Sequence, residues 1–154
     1  MVCDRKISAK VKGKVYKTVV RPAMTYGAET WPIKKTQEKK MDVAEMRMLR
    51  WMCGVTRRDR IRNDLIRGTT KVTEVSKKLQ ERRLQWYGHV MRKDEEYVGR
   101  RMMRLEVEGR RGRGRPKTRW KDCIRRDLQE KGLTGEECQD RRLWRTLTKN
   151  SDPV

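Results

Sequence analysis

Apolar side chains recur every three or four residues along most of this chain, the spacing that puts them on one face of a helix. Val11, Val15, Val19 and Ala23 form the first such stripe, predicted to be interrupted or kinked at Pro22 and ended by Tyr26-Gly27, with Trp31-Pro32 as a turn. A strand over residues 15–20 competes with it, because Val-Tyr-Lys-Thr-Val-Val is also good β material. A clearer helix follows, with Thr36 as N-cap, Glu38 in its first turn and Gly54 placed to stop it. Its predicted core face is Met41, Ala44, Met48, Met52 and Val55, with Arg47 and Arg50 off that stripe. Asp59 is expected to cap a short helix that carries Ile61, Leu65 and Ile66 and stops at Gly68.

Residues 70–91 read as one helix with Val72, Val75, Leu79, Trp86 and Val90 on its face, ending in Trp-Tyr-Gly-His-Val. The lone His89 beside two aromatics reads as a hydrogen-bonded structural histidine rather than a catalyst, since no Ser or Cys lies nearby in sequence. An acidic turn at Asp94-Glu95-Glu96 precedes a basic run through Arg104. From Pro116 or Thr118 a further helix is predicted, with Trp120, Ile124 and Leu128 on one side, Gly132 as its C-cap and Leu133 beyond it. Thr134-Gly135-Glu136-Glu137 matches a capping box that opens a last helix, in which Leu143, Trp144 and Leu147 pack back to form a helical hairpin. The pattern therefore predicts an all-α protein: a small helical bundle or bundles.

Composition changes that picture by thinning the core. Only 34% of the 154 residues are hydrophobic, 41% are charged and Phe is absent, so several small clusters built on Met and Trp are expected in place of one large core. The net charge of +21 is concentrated in the first 121 residues, whereas residues 122–154 carry seven bases and seven acids. That distribution is the footprint of a polyanion binder with a packing element attached. Cys3, Cys53, Cys123 and Cys138 lie too far apart for a zinc knuckle or finger and read as free thiols, so no metal or other cofactor is expected. Free thiols with no signal peptide point to a reducing, intracellular compartment, nuclear or cytoplasmic, and with no apolar run near the ~18 residues that span a bilayer no membrane partner is expected.

The most basic stretch is residues 109–121, GRRGRGRPKTRWK, with seven basic residues and no acid. Glycine and proline among the arginines make a helix costly, so the stretch is predicted to be an extended Arg/Gly arm. Arg113-Gly114-Arg115-Pro116, followed by Lys117, resembles the core of AT-hook peptides, whose arginines enter the minor groove of A·T-rich DNA. A linker that binds any phosphate backbone, or an inert one, would share this composition. The candidate contacts are Arg110, Arg111, Arg113, Gly114, Arg115, Pro116, Lys117, Arg119, Trp120 and Lys121 in and beside the arm. Upstream they are Arg57, Arg58, Arg60, Arg62, Arg82 and Arg83, with Trp86 and Tyr87 to stack on bases.

Four blocks in this order, KGKVYKTVVRPAMTYGAETW, AEMRMLRWMCGVTRRDRIRNDLIRG, RRLQWYGHVMR and GRGRPKTRWKD, resemble the C-terminal part of the reverse transcriptase of non-LTR retrotransposons, particularly the RTE type. The resemblance implies a helical, basic thumb and post-thumb region that grips template and primer while a separate palm performs the chemistry. Pattern and resemblance together divide the chain into a thumb-like segment at 1–35, a basic helical region at 36–105, the arm at 106–118, a helical hairpin at 119–150 and a disordered tail at 151–154. The chain starts abruptly, as if inside a domain, and nothing in it resembles an endonuclease. Polymerisation needs carboxylates that hold two metal ions, and the sequence contains no Asp-Asp pair, so the expected function is nucleic-acid binding without catalysis. DNA, RNA or an RNA–DNA hybrid is the expected partner, with a co-opted AT-hook-like chromatin protein as the alternative.

Overall fold

The computed structural model describes residues 4, 6–105, 114 and 118–153, and every regular element among them is helical. In chain order these are α1 (Ala9–Val15), a π-helical turn (Tyr16–Val20), α2 (Arg21–Met24), α3 (Lys35–Met52), α4 (Asn63–Thr70), α5 (Val75–Met91), α6 (Val98–Arg104), α7 (Trp120–Lys131), a 3-10 turn (Glu136–Gln139) and α8 (Arg141–Thr148). The chain forms two compact units, one comprising Met1–Gly27, Lys35–Leu79 and Asn150–Val154, the other Ala28–Lys34 and Gln80–Lys149.

The first unit closes around a carboxylate. Glu45 on α3 is fully buried. It accepts hydrogen bonds from Tyr16 Oη at 2.7 Å, Arg67 Nη1 at 2.7 Å and the Val75 amide at 3.0 Å. One turn earlier, Asp42 accepts the Ser76 amide at 3.2 Å. Two carboxylates of α3 thus satisfy amides that the start of α5 leaves without helical partners. This is why the helix expected from residue 70 begins only at Val75: α4 first ends at Lys71, whose φ of 56° is left-handed.

Burial of Glu45 also turns α3 about its axis. The buried face is Glu45, Met46, Leu49 and Met52, with Met41 and Met48 half-buried, while Ala44, expected inside, is exposed. Gly54, at φ 69°, stops α3 as predicted, and the Val55 amide returns to the Arg50 carbonyl at 3.0 Å. The Val11/Val19 stripe does not form the core: these residues are 51% and 63% exposed. Pro22 has no N–H to return, and the chain takes a wider turn in which the Arg21 amide bonds the Tyr16 carbonyl five residues back. Spacing by four then no longer follows one face, and Tyr16 enters a core of Met46, Leu49, Met52, Ile66 and Val72.

Two further expectations are corrected in this unit. Asp59 caps no helix; its Oδ2 accepts the Thr56 amide at 2.6 Å and the Thr56 hydroxyl at 2.9 Å, closing a turn, and α4 starts four residues later. The tail, expected to fray, is held at Asp152, which pairs with both terminal nitrogens of Arg21 at 3.1 Å and accepts the Thr73 amide at 2.9 Å.

In the second unit α5 and α7 are joined by a buried ion pair. Arg83 donates to both oxygens of Asp127, at 2.7 and 3.0 Å, and both side chains are 1% exposed. Trp144 of α8 is also buried, and its indole N–H donates to the Leu84 carbonyl at 2.8 Å. A methyl group at Gly88 would collide with that indole, which explains a glycine within the Trp-Tyr-Gly-His run. Gly132 (φ 66°) ends α7 with the Leu133 amide bonded back to Leu128, as expected. Thr134 and Glu137 do bond each other, but they open only the 3-10 turn; α8 has its own cap, Asp140, whose Oδ1 takes the Arg142 and Leu143 amides. Trp144 packs inward while Leu143 stays 45% exposed.

Three helical glycines give opposed predictions. A methyl at Gly13 would run into the Thr70 backbone and one at Gly88 into Trp144, whereas nothing lies within 4 Å of one at Gly68. Gly68→Ala should therefore stabilise by about 1 kcal/mol through helix propensity. Gly13→Ala and Gly88→Ala should each destabilise by about 1–3 kcal/mol through overpacking. Thermal melts of the three variants check the signs.

Asp152 makes stability depend on pH. Burial pushes its carboxyl up, but the Arg21 guanidinium and the Thr73 amide outweigh burial and hold it below its ordinary value. Because the folded pKa is the lower one, its stabilisation is present above the unfolded value of about 4 and is lost as pH falls through the folded one. The stability gap between wild type and Asp152→Asn should be largest near neutral pH and shrink below about pH 4, as followed by urea melts across that range.

Candidate nucleic-acid interface

The first unit presents its arginines on a built loop. Arg50, at the end of α3, donates to the Thr56 carbonyl at 3.1 Å, the Ile61 carbonyl at 2.7 Å and Asn63 Oδ1 at 2.9 Å. These bonds, with the Thr56–Asp59 turn, fix the segment that carries Arg57, Arg58, Arg60 and Arg62, all four exposed. Arg60 holds a left-handed φ of 52°, a conformation that a non-glycine residue adopts only where its surroundings impose it. Arg62 shares its charge with Asp64 at 3.1 Å, both well exposed. Sequence reasoning placed Arg50 merely off the apolar stripe; its role as the clamp of this loop depends on carbonyls as many as eleven residues away.

In the second unit the candidates separate. Trp86 is half-buried and stacks on the exposed His89, with ring centroids 5.3 Å apart and planes 20° apart. Tyr97 meets His89 edge-on at 6.4 Å, so this histidine belongs to a surface aromatic group. Trp120 donates its indole N–H to the Glu29 carbonyl at 2.7 Å. It lines a groove of about 540 Å³ together with Trp86, Met102, Met103, Arg119 and Lys121. Arg119 is exposed, and Arg82 and Lys121 are half-buried.

Two candidates are corrected. Arg83 cannot reach a ligand, because the Asp127 pair consumes it inside the unit. Tyr87 packs against the cluster of Leu84, Cys138 and Trp144, 6.1 Å from the Trp144 ring, and burial raises its hydroxyl pKa above the ordinary value; its ring belongs to the core. Arg110, Arg111, Arg113, Arg115, Pro116 and Lys117 lie outside the described residues, as does the predicted extended form of the arm; Gly114 is exposed with φ 121°.

A second basic site was missed. Arg92, Lys93, Arg141 and Arg145 line a hollow of about 580 Å³ with Gln85, His89 and Trp144, and no acid among the described residues borders it. Arg92 is anchored by donating to the Cys138 carbonyl at 2.6 Å. Residues 122–154 are neutral as a whole, but α8 places Arg141 and Arg145 one turn apart on one side. Helical spacing was the available signal, and equal counts of acid and base concealed it.

Among the described residues no three His, Cys, Asp or Glu side chains gather as they would around a metal ion. Cys53, Cys123 and Cys138 are free thiols, and burial raises the pKa of Cys53 and of Cys138. No helix among the described residues is long and apolar enough to cross a membrane.

Comparison with known proteins gives one informative similarity. Over 150 residues the chain is 27% identical to a Caenorhabditis elegans protein described as transposon-derived, covering 92% of this chain and 51% of that protein. The similarity supports a transposon origin. The chain spans about half the length of this relative. No family model and no solved structure matches.

Arg82 and Arg83 are adjacent and were proposed for the same role, and the structure separates them. Arg83→Ala leaves Asp127 charged in the interior and should cost about 3–5 kcal/mol of stability. Arg82→Ala should cost less than ~1 kcal/mol, as expected for a partly solvated charge. Urea denaturation of both variants reads the difference.

Proposed function

We propose that this chain is a nucleic-acid-binding part of a transposon-derived, reverse-transcriptase-like protein, gripping the phosphate backbone while contributing no carboxylates to polymerisation. The observation that carries this reading is the loop clamped by Arg50, where Arg57, Arg58 and Arg60 are exposed. An ordered run of cations on the surface adds nothing to the core and is suited to neutralising phosphates. The net charge of +21 and the similarity to a transposon-derived protein agree with it. Resemblance of the four sequence blocks to the thumb and post-thumb region of non-LTR retrotransposon polymerases narrows the partner to template and primer, including RNA–DNA hybrid, in the nucleus or cytoplasm.

A second reading, a co-opted AT-hook-like DNA-binding protein, rests on Arg113-Gly114-Arg115-Pro116. It requires preference for A·T over G·C duplex and loss of that preference in Arg113→Ala/Arg115→Ala. The polymerase-like reading requires neither.

Salt titration tests the shared claim. With roughly six to ten phosphate contacts, affinity for duplex should fall about a thousandfold or more between 50 and 200 mM salt. Replacing Arg57, Arg58 and Arg60 by Ala should reduce the slope by about 2.7 for three lost contacts. A flat salt response would remove the phosphate-binding reading, and primer extension by the purified chain with Mg²⁺ would overturn the assignment as a non-catalytic part.

A further inference from the structure

We infer that the second unit carries a track for single-stranded nucleic acid across the exposed side of α5, an inference that rests on the nucleic-acid reading above and assigns it a second, separate site. Three adjoining hollows in this unit share residues. The basic hollow of Arg92, Lys93, Arg141 and Arg145 shares Gln85 and His89 with a shallow hollow that also includes Trp86. Trp86 in turn lines the groove of Met102, Met103 and Trp120. The result is a continuous surface with cations at one end, the stacked Trp86–His89 pair in the middle, and an apolar groove bordered by Arg119 and Lys121 at the other.

Complementarity selects the occupant. Among the described residues no acid lines either end hollow, and Glu29, which lines the shallow middle one with Arg82, is the only acid lining the three. Both ends therefore favour phosphate. Between them lie indole, imidazole and thioether surfaces, which are of no use to a duplex, whose base faces are already stacked on one another. Bases of a single strand have those faces free and gain by stacking on Trp. Alternating phosphate-binding and base-stacking surfaces along one path are the requirements of a sequence-tolerant single-strand binder.

The test uses the full chain with a fluorescein-labelled oligothymidylate of roughly 20 nucleotides, longer than a single strand-binding module needs, and a duplex of the same length, both followed by anisotropy. Trp86→Leu should weaken oligothymidylate binding about tenfold with an unchanged salt slope. Arg141→Ala/Arg145→Ala should weaken it similarly while lowering the slope by about 1.4, the value for two phosphate contacts on a single strand. Duplex binding should change less than about twofold in both, because the Arg57–Arg60 loop remains. Should Trp86→Leu fail to fold by circular dichroism, the arginine pair, exposed on α8, decides alone. If wild type binds both ligands and neither track variant loses oligothymidylate affinity, the track is overturned and the proposed function stands. Equal losses on duplex and single strand would reduce the site to a general phosphate patch and overturn the single-strand assignment. Binding of neither ligand by wild type would overturn both.

Discussion

A single carboxylate with no exposure to solvent holds the first unit together. Glu45 receives Tyr16, Arg67 and the amide that starts α5, so one side chain ties the π turn, α4 and α5 to α3. Removing one partner of such a buried pair costs about 3–5 kcal/mol, because the remaining charge is stranded away from water. In a chain that is 34% hydrophobic this is a large part of what distinguishes one packing from another. Tyr16 shows the same dependence: burial and its hydrogen bond to Glu45 raise its pKa far above the ordinary value, so the phenol remains a donor.

The second unit solves the same problem with Arg83 and Asp127. Acids are half as numerous as bases in this protein, and both units place some of them inside: Glu45 and Asp127 are fully buried and Asp152 is largely covered. Each consumes an arginine, Arg67, Arg83 and Arg21 respectively. Among the described residues, Arg57, Arg58 and Arg60 on the Arg50-clamped loop and Arg141 and Arg145 on α8 stay exposed. Folding thereby divides the described arginines into a set buried with carboxylates and a set left on the surface.

The sequence by itself determined the helical class, the glycine stops at Gly54 and Gly132, the exposed arginines of residues 57–62 and the absence of an Asp-Asp pair. Each of these depends on local geometry or on residue type alone: backbone conformation at glycine, apolar spacing, the cost of burying an unpaired guanidinium. Tertiary structure decided which of several apolar faces would be buried. Val11 and Val19 lost to Tyr16 because Glu45 offered the phenol a partner in the core, and the π turn over Tyr16–Val20 shifted the register after it. It also decided the fate of neighbouring arginines. Arg82 and Arg83 are equivalent by composition, and only the position of Asp127, forty-four residues away, makes one of them part of the core. The same holds for Arg141 and Arg145, whose charges cancel in a count but not in space, because a helix sorts side chains by angle and a sum does not.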